Sequence, residues 1–85
     1  MLLMISVAVL FLGPAKDLTK VESVALDLRV GATVGDARRA IAERFPRLGE
    51  GLSKMRLALN QEFVADTQVL RASDELAVVP PVSGG

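Results

Sequence analysis

Hydrophobic and polar positions follow one another along this chain in blocks short enough for strands, with one longer block at helical spacing. Residues 3–11 read as a strand that sends Ile5, Val7, Val9 and Phe11 to one face, and Ala8 and Leu10, continued by Leu12, to the other. Both faces are apolar. Such a strand lies inside a sheet that is covered on both sides, or covered on one side and bound by a partner on the other. Gly13 and Pro14 break the run, and the polar stretch 15–23 reads as a loop with at most one turn of helix. Residues 24–30 alternate cleanly, with Val24, Leu26, Leu28 and Val30 inward and Asp27 and Arg29 facing water.

Thr33 stands where a helix N-cap belongs. Asp36, three residues on, occupies the capping-box position beside the positive end of the helix dipole. The spacing predicts a helix over 34–45, with Val34, Ala37, Ile41 and Phe45 as its apolar stripe and Arg38, Arg39 and Glu43 pointing away. Pro46 ends it. Residues 55–59 form a strand with Met55, Leu57 and Leu59 on one face, 60–62 a turn, Phe63 and Val64 a short strand, 72–75 a turn, and 76–79 the last strand. The fold class is therefore α+β, a mixed sheet with one main helix packed on one face. The first and last strands are the most uniformly apolar, which places them side by side at the sheet's centre. This arrangement resembles the ubiquitin-like β-grasp, with residues 1–79 as the domain and 80–85 as an extended tail.

The chain has 85 residues, 51% of them hydrophobic and 4% aromatic, which leaves room for one small core and no second domain. A chain of this size buries only about 60% of the surface its unfolded form exposes, so some of its apolar material stays outside. With a mean hydropathy of +0.41, that surplus points to a protein partner. There is no Cys and no His, so thiol nucleophiles, imidazole bases and the usual zinc or copper ligands are excluded, and no bound metal is expected. Ten basic and ten acidic residues give a net charge of zero, which argues against nucleic acid. Arg38, Arg39, Arg44 and Arg47, interrupted by Asp36 and Glu43, read as a solvated helix face, with an acidic protein partner as the alternative. The opening apolar run is too short for a bilayer, which needs about 20 residues. It also lacks the charged start and cleavage site of a signal peptide. No membrane association is expected, and the cytoplasm is the expected location.

The last six residues, Pro80, Pro81, Val82, Ser83, Gly84 and Gly85, carry the candidate chemistry. Two prolines cannot donate to a sheet ladder and hold an extended form, so they project the tail from the body. Gly84 and Gly85 have no side chains, so the carboxylate behind them can pass through a narrow channel. A free carboxylate is a poor electrophile and needs a partner to activate it. Glycines at a chain end are commonly a frayed terminus. Their coincidence with a diproline, an apolar last strand and this element order is the stronger signal. Asn60 and Glu62 read as turn formers, Ser83 as a small tail residue without a base to make it a nucleophile, and Arg39 as solvated.

The segment from Asp74 through Pro80-Pro81-Val82-Ser83-Gly84-Gly85 resembles the C-terminus of the molybdopterin synthase small-subunit family, the sulfur carriers of molybdenum cofactor biosynthesis. The apolar first strand, the Thr33-Val34-Gly35-Asp36 helix start and the Asn60-Gln61-Glu62 turn fit the same family. Some members carry bulky aromatics where this chain has Val78 and Val79. The resemblance implies a cosubstrate, not catalytic alone, and with no cofactor of its own. A ubiquitin-activating-enzyme-like adenylyltransferase, using ATP, would adenylate Gly85, and a sulfur donor would convert it to a thiocarboxylate. Pro80, Pro81, Val82, Ser83 and Gly84 would enter the large subunit of the synthase, with Val78 and Val79 at the interface. The thiocarboxylate would then deliver sulfur to cyclic pyranopterin monophosphate to build the dithiolene of molybdopterin, in a heterotetramer of small and large subunits.

Three rival readings keep parts of this pattern. One is a ubiquitin-like modifier joined through Gly85 to protein lysines. Another is the thiamine-pathway sulfur carrier, which the Pro-Pro-Val-Ser context and the chain length disfavour. The third is an interaction module with no covalent chemistry.

Overall fold

A computed structural model describes residues 3–81. Five strands form one mixed sheet: β1 (Met4–Phe11), β2 (Ser23–Arg29), β3 (Arg56–Leu59), β4 (Glu62–Phe63) and β5 (Glu75–Val79). Their spatial order is β2-β1-β5-β3-β4, so the first and last strands are central neighbours, as their two apolar faces require. β1 pairs antiparallel with β2 and parallel with β5, and β5 pairs antiparallel with β3. Residues of one parity, Val7, Val9, Phe11, Leu26, Leu57, Leu76 and Val78, lie buried under helix α2 (Val34–Arg44), whose Val34, Ala37 and Ile41 are buried against them. Phe45, at the helix C-cap, sets its ring edge-on against Phe11 with centroids 5.0 Å apart.

The helix starts as its capping residues dictate. Asp36 N donates to Thr33 Oγ1 at 3.2 Å, and Thr33 N donates to Asp36 Oδ2 at 2.9 Å. The Thr33 backbone N–H first, then the Thr33 hydroxyl and the Arg39 guanidinium, hold the Asp36 carboxyl below its ordinary value. Gly35 lets a loop approach: its N donates to Asp66 O at 2.9 Å, and a Cβ there would meet that oxygen at 3.3 Å.

Four expectations need correction. The stretch read as a loop after Gly13 contains helix α1 (Pro14–Thr19). Gly13 at φ 51° turns the chain, Pro14 presets the first helical position, and Ala15 and Thr19, one turn apart, are buried. Val30, read as inward, is 59% exposed, because β2 ends at Arg29 and the chain turns at Gly31 with φ +93°. The short strand read at Phe63 and Val64 is Glu62–Phe63. Arg38, read as solvated, has a side chain only 19% exposed. Its Nε and Nη2 donate to Asp66 at 3.0 and 2.9 Å, and its Nη1 donates to Leu52 O at 2.7 Å and Met55 O at 2.8 Å. Between Pro46 and Lys54 the chain makes two 3-10 turns kinked at Gly49, and Leu48 and Leu52 from this segment close the core.

Candidate functional site: the root of the tail and the open sheet face

β5 ends where its ladder runs out of donors. Val79 is its last residue, opposite Arg56, and the prolines that follow have no N–H to continue. Pro80 is half-buried and Pro81 exposed, so the chain leaves the sheet from its central strand. The beginning of β5 is fixed from the β3–β4 turn. Asn60 and Gln61 both adopt positive φ, 49° and 74°, as a two-residue hairpin turn requires. Asn60 then uses both ends of its amide: Nδ2 donates to Asp74 Oδ1 at 3.0 Å, and Oδ1 accepts from Glu75 N at 3.0 Å. The Asn60 read as a turn former therefore also clips this turn to the start of β5.

Strand alternation divides the two valines assigned to the interface. Val78 shares the parity of Leu76 and is 0% exposed, so it belongs to the core and has no surface to offer a partner. The interface assignment at Val78 is corrected on that ground. Val79 takes the opposite parity and lies half-buried on the face away from α2. Val82, Ser83, Gly84 and Gly85 lie outside the described residues.

The face away from the helix is the surface the composition called for. Leu10 lies opposite Ala77, Ala77 opposite Ala58, and Ala58 opposite Phe63, a row of apolar side chains crossing four strands. Leu12, 45% exposed, and Val79 extend it toward the tail, and Phe63 at its end is 52% exposed. The Arg56 guanidinium lies over the Phe63 ring, 3.6 Å from its centroid. Sequence periodicity marked β1 as two-faced but gave no sign of Phe63 and Arg56 as a pair, because their meeting depends on the β3–β4 register. Arg39 is exposed and pairs with Asp36, as a solvated residue does. Among the described residues no cluster of three or more metal-ligating side chains occurs, and no helix is long and apolar enough to cross a membrane.

The ThiS family matches residues 9–85 of this chain. The molybdopterin synthase sulfur carrier subunit of Arabidopsis thaliana is 36% identical over 81 residues, covering 95% of this chain and 84% of that protein. The crystal structure of SAMP1 from Haloferax volcanii superposes with a TM-score of 0.86 at 30% identity, covering 94% of this chain and 99% of that one. A chain from the complex of subunits 1 and 2 of the molybdopterin-converting factor of Helicobacter pylori superposes with a TM-score of 0.71 at 28% identity, covering 95% and 100%.

Proposed function

The chain belongs to the ThiS family, and on that premise we propose that it is the sulfur carrier subunit of a molybdopterin synthase. The observation that carries this reading is the central strand β5, which ends at Val79 beside an open apolar face and is followed in sequence by Pro80-Pro81-Val82-Ser83-Gly84-Gly85. The family match runs through to Gly85, and the relatives named as sulfur carrier subunits support the role. The Gly85 carboxylate attacks the α-phosphate of ATP on an adenylyltransferase, pyrophosphate leaves, and a sulfur donor then displaces AMP to give the thiocarboxylate. Docking of the open face on the large subunit feeds the tail into that subunit's pocket. There the thiocarboxylate sulfur bonds to cyclic pyranopterin monophosphate, and water cleaves the acyl–sulfur bond, leaving the sulfur on the pterin and returning Gly85 as a carboxylate. Acid–base groups come from the partners, since this chain has neither His nor Cys. The Helicobacter pylori complex of subunits 1 and 2 supports a large-subunit partner.

Deleting Gly85 tests the mechanism. It removes one residue of reach, about 3.5 Å if the chain is fully extended, far more misplacement than a near-attack geometry tolerates. The thermal midpoint stays unchanged, because Gly85 brings no side chain to the core, while thiocarboxylate formation and sulfur delivery collapse. A truncated chain that still supports molybdopterin synthesis with the large subunit and a sulfur source would falsify the proposal.

The likeness to SAMP1, whose full name is small archaeal modifier protein 1, favours a second reading, in which the activated Gly85 is transferred to lysine amines. Immunoblots of whole-cell lysates separate the two. A modifier gives a ladder of heavier covalent species, and a carrier gives the free chain alone on a denaturing gel.

A further inference from the structure

Arg56 is a charged side chain on a surface that is otherwise apolar toward the tail. It faces Val79 across the β3–β5 ladder and sits two residues from Ala58 on its own strand. Its guanidinium rests on Phe63, and among the described residues it makes no hydrogen bond or ion pair. Stacking engages the flat face of a guanidinium and leaves the N–H donors around its edge free. Among the described residues, the carboxylates on the flanking strands and turns are placed elsewhere, with Glu75 beside Ala8, four residues along β5 from Val79. Asp66 is held by Arg38, and Asp74 by Asn60 and the Arg71 amide. Glu62 pairs with Leu59, on the helix-facing side of the sheet.

A partner that covers Leu12, Val79 and Phe63 also strips water from Arg56. A desolvated guanidinium is tolerated when a carboxylate meets it, and the stacked fork is already oriented for a two-point contact. We propose that the Arg56–Phe63 pair is a specificity element of the docking face and takes a carboxylate of the large subunit beside the mouth of the pocket that receives the tail. This rests on the sulfur-carrier reading above and adds to it the charge that the partner must present.

The test is calorimetric titration of the full chain into purified large subunit at low and high salt, with Arg56→Gln and Arg56→Lys beside the wild type. Arg56 is exposed, so each variant should keep the thermal midpoint within a few degrees, and circular dichroism checks this. Arg56→Gln should weaken Kd by about tenfold or more and flatten its dependence on salt. Arg56→Lys should keep the salt dependence but recover only part of the affinity, since an ammonium cannot reproduce the fork. Neutralising the carboxylates around the partner's pocket one at a time should find one whose loss is not additive with Arg56→Gln. If Arg56→Gln binds as tightly as wild type with the same salt slope, the proposal is overturned and the docking reading stands. If the wild type itself does not bind, the sulfur-carrier reading falls and takes this proposal with it.

Discussion

Arg38 donates to a carboxylate and to two backbone carbonyls at once, so one guanidinium joins α2 to the end of the 3-10 segment and to the loop that carries Asp66. Arg38→Ala leaves those acceptors unmet and should cost about 2–3 kcal/mol, read as a lower urea midpoint with an unchanged slope. Arg38→Lys should restore only part of that, because an ammonium reaches fewer acceptors in fixed geometry. The same contact makes stability depend on pH. Hydrogen bonding to Arg38 holds the Asp66 carboxyl below its ordinary 3.8. A carboxylate whose pKa is lowered by folding contributes in full above its unfolded value, and that contribution is lost as the pH falls through the folded one. The gap between wild type and Arg38→Ala should therefore be full at neutral pH and shrink below about pH 4. A gap that does not change with pH would show that the carbonyl bonds alone carry the contribution.

At the scale of elements, β5 has two jobs on its two faces. Val78→Asp buries a charge under α2 and should abolish cooperative unfolding, whereas Val79→Asp should leave circular dichroism nearly unchanged and weaken large-subunit binding. If Val79→Asp also unfolds the chain, the open face is not free surface and the docking assignment fails. The helix offers a second check: Thr33→Ala removes one half of the capping box and should lower stability by about 1 kcal/mol in chemical denaturation. These elements were legible because each has a strong local signal. β1 has two apolar faces, β2 alternates, and Thr33 with Asp36 marks a helix start. Helix α1 was not, since its buried face consists of Ala15 and Thr19, too small and too polar to register as periodicity. The 3-10 segment has no period to read, as its kink falls at Gly49. Arg38 was misread because its acceptors lie 14 to 28 residues away, a distance over which a single sequence shows no pairing. The resemblance puts Val78 and Val79 together at the interface, whereas strand alternation sends Val78 to the core with Leu76 and only Val79 to the open face.

For the whole molecule, the fold places a donor-poor exit from its central strand next to an uncovered apolar face. That is an arrangement for presenting a tail to something larger. The central claim is that the carried group is a thiocarboxylate on Gly85. Intact-mass spectrometry of the chain, after incubation with ATP, the adenylyltransferase and a sulfur donor in the absence of the large subunit, tests it most directly. The account expects the mass to rise by the exchange of one oxygen for one sulfur, and expects no rise in the Gly85-deleted chain. An unchanged mass under conditions where ATP is consumed and pyrophosphate released, or the same gain without Gly85, would contradict it.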